Sequence, residues 1–271
     1  MKQDRETLAK WVELRLYRGF YTFTYQDVKS EFSLWNDSYI NTAINRLVKL
    51  KTIVSPAKGF YVIVPVEYAL SGLVPATFYI DQMMSYLNRH YYIGLSNAAG
   101  FYGAAHQRPQ TFTVINDGAS LRNGIRAGIN YYFINRKKIF SDFITTRKTK
   151  LGLINVSSPE LTAADLTECQ GEVGGLNRVC TIMSELAESL NFSMIDTSYF
   201  SIYGSPVYQR LGYILDEVLE ESELADTLYS KMKELNIPFR KTLFKTGKAS
   251  AGCDVNEKWK IIINQEIDID G

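Results

Sequence analysis

With 271 residues, 46% of them apolar and 22% charged, the chain is long enough for two domains, and its composition is that of a packed globular protein rather than a disordered one. No apolar run approaches the roughly 20 residues that cross a bilayer, and the polar start "MKQDRETLAK" predicts no secretory signal and no membrane partner. The net charge of +1 hides an asymmetry: residues 1–150 hold 20 Lys and Arg against 10 Asp and Glu, and residues 151–271 hold 10 against 19, which points to a polyanion-facing part and a separate acidic part.

Residues 4–17 carry Leu8, Trp11, Val12 and Leu16 at helical spacing, and Gly19 breaks that helix. In "TFTYQDVKSEF" a second helix is predicted, with Thr24 as N-cap, Asp27 three residues on, and Val28 and Phe32 facing inward. "SLWN" reads as a short turn. A third helix follows, capped by Asn36 or Ser38. Each helical residue advances about 100°, so Ile40, Ala43, Ile44, Leu47 and Val48 gather on one side. Ser38, Tyr39, Asn41, Thr42, Asn45, Arg46 and Lys49 gather on the other. "TIVS", a turn at "PAKG" and "FYVIVP" then read as a hairpin that Pro65 closes.

Beyond residue 65 the pattern predicts a loop, a helix at 77–88, and a helix of small residues at 94–104. Strands are predicted at 111–116, 129–135 and 151–157. A helix opens at Ser158 with Pro159 at its first position. Further helices are predicted at 173–190, from a Ser205 cap with Pro206 in the first turn, and at 222–235, with a late strand at 258–264. The predicted fold class is α/β (mixed α+β) in two domains. Residues 1–65 form one. Residues 66–271 form the other, sheet-rich over 66–160, mainly helical over 161–240, with a closing strand and tail over 241–271.

Three helices, the third with a polar face, followed by a hairpin, make the plan of a winged helix-turn-helix, whose third helix enters the major groove of DNA. Asn pairs with adenine and Arg with guanine, while Ser and Thr reach bases or phosphates. Lys51 at the base of the hairpin and Lys58 at its tip are placed to meet phosphates. A surface helix in a protein-interaction module is the alternative reading of the same residues. Farther on, Arg122, Arg126, Arg136, Lys137, Lys138, Arg147, Lys148 and Lys150 put eight cations within 29 residues against one acid, Asp142. If they share a face they form a second basic surface, for DNA, RNA or an acidic protein. Otherwise they decorate a solvated sheet edge.

No catalytic constellation emerges. "GEVGGLNR" (171–178) lacks the GxGxxG spacing and the preceding strand of a dinucleotide site. "DVNEKWKI" (254–261) has the acidic and Lys residues of a metal-dependent nuclease core, but Glu257 and Lys260 are three apart and in a strand point to opposite faces. The acidic run of Glu217, Glu220, Glu221 and Glu223 reads as solvated helix surface. Cys169, Cys180 and Cys253 include no CxxC pair, and His90 and His106 have no partner in sequence. The expectation is reduced thiols in the cytoplasm, no metal and no cofactor.

In order along the chain, "INRLVKLKTIVSPAKGFYVIVP", "YYIGLSNAAGFYG", "NVSSPELTAADL" and "QRLGYILDEV" resemble the antitoxin of the AbiE abortive-infection system, a type IV toxin–antitoxin pair of bacterial phage defence. The resemblance spans about residues 7–235. It maps the recognition helix to 38–50 and the wing to 52–64. Ser96 and Ala98 match the family's pattern of a Ser with small residues, although Asn97 stands where Ala is more usual. Leu211, Gly212 and Tyr213, with Arg210 before them, match a late element and look like packing positions. What the resemblance implies is a non-enzymatic repressor that binds inverted repeats of double-stranded operator DNA, two copies to a duplex. The C-terminal domain then counters a nucleotidyltransferase-type toxin, with no tight complex implied. The alternative is a winged-helix regulator whose C-terminal domain binds a small ligand or a protein, with no toxin.

Overall fold

The computed structural model describes residues 7–104 and 109–268. His106 and the first residues of the helix predicted at 4–17 lie outside them. The chain is mixed α and β, as the sequence pattern indicates. By packing it divides into two compact units. The first holds Met1–Tyr91, Asn116–Lys137 and Thr146–Asn155, and the second holds Tyr92–Ile115, Lys138–Thr145 and Val156–Gly271. This division does not fall at residue 65.

The first unit opens with α1 (Leu8–Tyr17), capped by Thr7, whose hydroxyl accepts from Lys10 N. Strand β1 (Thr22–Thr24) follows; the sequence reading had no strand there. Next is α2 (Tyr25–Glu31), whose Thr24 and Asp27 exchange side-chain and backbone bonds in a capping box. Helix α3 (Asp37–Lys49) is capped by Asn36, whose Oδ1 accepts from Tyr39 N at 2.8 Å, which decides between the two candidate caps. Strands β2 (Ile53–Ala57) and β3 (Phe60–Ile63) pair antiparallel, and β1 pairs with β3, in the order β1-β3-β2. The hairpin turn is therefore Lys58–Gly59 alone, shorter than the predicted "PAKG". Pro56 sits inside β2, where an edge strand tolerates a residue without an N–H.

The core of these elements is local to residues 8–63. Ile40, Ile44 and Leu47 of α3 are buried with Trp11, Val12, Val28, Phe32 and Ile53. Trp11 meets Phe23 edge-on at 5.4 Å between centroids, and Trp35 stacks on Phe32 at 4.1 Å. The Trp35 stack fixes the turn that joins α2 to α3. Val48, expected on the inner side, is exposed, because it lies at the margin of the apolar stripe.

Farther along come α4 (Ile80–Tyr86), β4 (Tyr91–Ile93), α5 (Leu95–Gly100), β5 (Thr111–Asn116), β6 (Gly124–Arg126), β7 (Ile129–Asn135), β8 (Ile144–Thr149) and β9 (Gly152–Ser157). A six-stranded mixed sheet runs in the order β6-β7-β5-β4-β9-β8, with β6 antiparallel to β7 and β4 parallel to β9. The predicted strands at 111–116, 129–135 and 151–157 are present as β5, β7 and β9. β4, β6 and β8 went unread.

The second unit is mainly helical. Helix α6 (Pro159–Glu168) starts at Ser158, whose hydroxyl accepts from Leu161 N. It is followed by α7 (Leu176–Leu186), the short α8 (Thr197–Phe200), α9 (Ser205–Tyr213) and α10 (Ser222–Glu234). Gly204, not Ser205, is the N-cap of α9; Ser205 is already helical and makes no capping bond. After α9 the helix widens to a π turn over Ile214–Val218. The tail forms a small sheet of β10 (Thr242–Leu243), β11 (Val255–Asn256) and β12 (Ile261–Ile262) in the order β10-β12-β11. The predicted strand at 258–264 shrinks to β12, because Glu257–Lys260 form the turn after β11.

Candidate nucleic-acid interface

The outer face of α3 follows from its apolar stripe. With Ile40, Ile44 and Leu47 buried, the residues 100° to 180° away must face solvent. Ser38, Tyr39, Asn41, Thr42, Asn45, Arg46 and Lys49 are all exposed. The side chains of Asn41, Asn45, Arg46 and Lys49 have no partner among the described residues. Thr42 donates its hydroxyl to Ser38 O at 2.9 Å, which leaves only its lone pairs for a further contact. Tyr39, 56% exposed, sets its ring edge-on to Trp35 at 4.6 Å.

At the N-terminus of α3, Asp37 accepts from Lys29 Nζ at 3.0 Å and from Tyr25 OH at 3.1 Å. The bond from Lys29, then the bond from Tyr25, holds the Asp37 carboxyl below its ordinary value. The same Asp37 raises Lys29. One carboxylate is thus neutralised at the edge of an otherwise basic surface.

Lys51 and Lys58 are exposed as well. Lys51 follows the last turn of α3 with a φ of 56°, and Lys58 forms the tip of the hairpin with Gly59. The structure thus brings together, in one small module, every residue that the sequence put on the DNA-facing side.

It does not gather the second basic group. Arg126 lies on β6 and Arg147 and Lys148 on β8, the two opposite edges of the six-stranded sheet. Five strand spacings of about 4.8 Å separate these edges, roughly 24 Å. Arg122 lies in the loop before β6; Arg136, Lys137 and Lys138 follow β7; Lys150 lies in the turn after β8. Several have local partners: Lys150 pairs with Glu67 at 3.4 Å, and the Lys138 ammonium lies 4.5 Å from the Phe140 ring centroid. Arg126 donates to Pro56 O at 3.3 Å and to Arg122 O at 3.0 Å.

The enzyme-like motifs resolve as architecture. "GEVGGLNR" supplies the loop into α7, with Gly175 as its cap. Glu257 and Lys260 are not strand residues on opposite faces; they sit in one turn and pair at 2.5 Å. No cluster of His, Cys, Asp and Glu suited to a metal occurs among the described residues, and no described helix is long and apolar enough to cross a membrane.

Sequence reasoning missed one dyad. His90 Nδ1 lies 2.6 Å from Asp117 Oδ2, and His90 N donates to Asp117 Oδ1 at 2.9 Å. The partners are 27 residues apart and no local spacing announces them.

The late "QRLGY" element is also explained by geometry. Gln209 Nε2 donates to Arg240 O and Trp259 O, both at 2.7 Å, and Arg210 Nε donates to Leu243 O at 2.8 Å. A Cβ on Gly212 would fall 2.0 Å from the Trp259 ring. These residues are the cradle of the C-terminal strap.

Among solved structures, the fold is similar to the crystal structure of the RV2827C protein of Mycobacterium tuberculosis, at 14% identity over 96% of this chain and 92% of that one, with a TM-score of 0.68. An antigenic nucleotidyltransferase-like protein of Paracoccidioides brasiliensis matches 56% of this chain and 89% of its own, at 14% identity and a TM-score of 0.38. No curated protein matches the sequence. The model of the AbiEi antitoxin C-terminal domain matches residues 92–217, from β4 to the π turn after α9. Over that segment the chain is similar to the AbiEi antitoxin family, in agreement with the resemblance read from the sequence.

Proposed function

We propose that residues 8–64 are a winged helix-turn-helix that binds double-stranded operator DNA. In this reading α3 is the recognition helix and the hairpin β2–β3 is the wing. Through it the chain represses its own operon in the cytoplasm. Through its AbiEi-type domain it counters a nucleotidyltransferase-type toxin, without catalysis of its own. The observation that carries the DNA reading is the segregation on α3: a buried apolar stripe and an exposed face of amides, hydroxyls and cations whose donors and acceptors are mostly unengaged. That face supplies Asn41, Asn45 and Arg46 for base edges and Lys49, Lys51 and Lys58 for phosphates. The antitoxin role rests on the family match.

The test is binding of the full chain to its own upstream DNA. Arg46→Ala is expected to weaken binding by ~1–3 kcal/mol where that Arg reads a guanine. Lys58→Ala is expected to lower the slope of log affinity against log salt by about one phosphate contact. Wild-type affinity and salt dependence in both variants overturn the assignment. Growth rescue on co-expression with an adjacent nucleotidyltransferase reading frame tests the antitoxin role. Absence of both the frame and the rescue would favour a regulator without a toxin.

A further inference from the structure

In the sheet β1-β3-β2, strand β2 is an edge. The backbone groups along such an edge have no strand partner and need another donor, or water. Two carbonyls of this hairpin are met by side chains from outside residues 1–65. Tyr86, the last residue of α4, donates its hydroxyl to Lys58 O at 3.1 Å and packs its ring on Phe60 at 5.5 Å. Arg126 on β6 donates Nη1 to Pro56 O at 3.3 Å, while Nη2 bonds Arg122 O and the guanidinium lies 5.4 Å from the Phe133 ring centroid. On the α2 side of the turn, Tyr25 N donates to Gly59 O at 2.8 Å. Gly59 has a φ of +78°, and a Cβ there would fall 2.6 Å from the Tyr86 hydroxyl. Glycine therefore serves both the turn and the approach of Tyr86.

We propose that Tyr86 and Arg126 are positioning residues for DNA binding: they clamp the hairpin tip so that the Lys58 ammonium is held where a phosphate will meet it. The inference rests on the winged-helix reading above. Strand β3 is paired on both sides, by β1 and β2, but β2 is paired on one side only, so the β2 side of the tip is the less supported. Every arrangement that carries Lys58 away from the duplex lowers the binding-competent fraction, and the apparent Kd rises by the same factor. The net worth of one hydrogen bond corresponds to about fivefold in such an equilibrium. Affinity for DNA is thus set in part by residues outside the winged helix, on α4 and β6.

The experiment uses the full chain and a duplex recovered from a random-sequence pool by the wild-type protein, with fluorescence anisotropy at several salt concentrations. Tyr86→Phe keeps the ring on Phe60 and removes only the hydroxyl. It is expected to bind about fivefold more weakly and to lose part of the salt slope. Arg126→Lys keeps the charge and loses the planar fork, and is expected to weaken binding severalfold. The decisive arm is the double variant: with Lys58→Ala in place, Tyr86→Phe is expected to add nothing, because the clamp acts through that ammonium. Tyr86→Phe and Arg126→Lys binding like wild type while Lys58→Ala weakens would overturn the clamp and leave the DNA reading standing. So would a Tyr86→Phe loss that persists in full beside Lys58→Ala, since that marks a general structural effect. A wild-type chain that enriches no duplex overturns the DNA reading and the clamp with it.

Discussion

At the residue scale, Gly212 shows how one missing methyl group organises its surroundings. In the interior of a helix, Gly is ordinarily about 1 kcal/mol worse than Ala, so replacing it would stabilise most helices. Here the sign reverses. The Trp259 ring occupies the space a Cβ would take, with contacts from 2.0 Å. That ring cannot swing aside. It is fully buried, its Nε1 donates to Asp216 at 2.8 Å, and its backbone is bonded to Asn256 and Gln209. Overpacking of this kind costs about 1–3 kcal/mol. We expect Gly212→Ala to lower the urea midpoint accordingly and to change the fluorescence of Trp259. An unshifted midpoint would mean that the strap does not seat on α9 as described.

At the element scale, what the sequence disclosed depended on periodicity and length. Helix α3 was legible because its apolar residues recur every three or four positions over 13 residues. Caps at Thr24 and Ser158 were legible because the capping partner lies three residues away. β4 and β6 are three residues long, too short for an alternation to register. No strand was placed at β8, because Arg147 and Lys148 break the apolar alternation; the reading of these cations as a solvated sheet edge nevertheless fits an edge strand, where charge prevents mispairing. The Tyr86–Lys58 bond and the Gln209 cradle join residues 28 to 50 apart, beyond any local pattern. The same holds for His90 and Asp117, which tie the start of β4 to the end of β5. Partial burial pushes the Asp117 carboxyl up, but the bonds from the His90 ring and backbone outweigh it and hold the carboxyl below its ordinary value. A carboxylate lowered on folding stabilises the folded chain above its unfolded pKa of about 3.9, and that share is lost as pH falls through the folded value. We therefore expect Asp117→Asn to lose less thermal stability than wild type as pH falls from about 5 through the lowered value of the Asp117 carboxyl. Parallel acid profiles for the two proteins would show that the dyad contributes nothing to stability.

At the scale of the whole molecule, the two proposed tasks sit in different parts of the chain. The core under α3 is built from residues 8–63, whereas the AbiEi-type match runs from residue 92 to 217. Arg46 is exposed and touches nothing on its own helix that holds the core together. Its loss should therefore abolish a contact with DNA and leave both cores intact, since a surface substitution away from special features moves stability by no more than about 0.5 kcal/mol. This separates the functions without cutting the chain. Expressed from an unrelated promoter, so that autorepression has no bearing on its level, Arg46→Ala is expected to rescue growth from the toxin as fully as wild type while its operator affinity falls. The measurement is colony survival against induced toxin, with chain abundance checked in parallel. If rescue declined together with DNA binding at equal abundance, the winged helix would itself take part in neutralisation, and the division of labour proposed for the two parts would have to be abandoned.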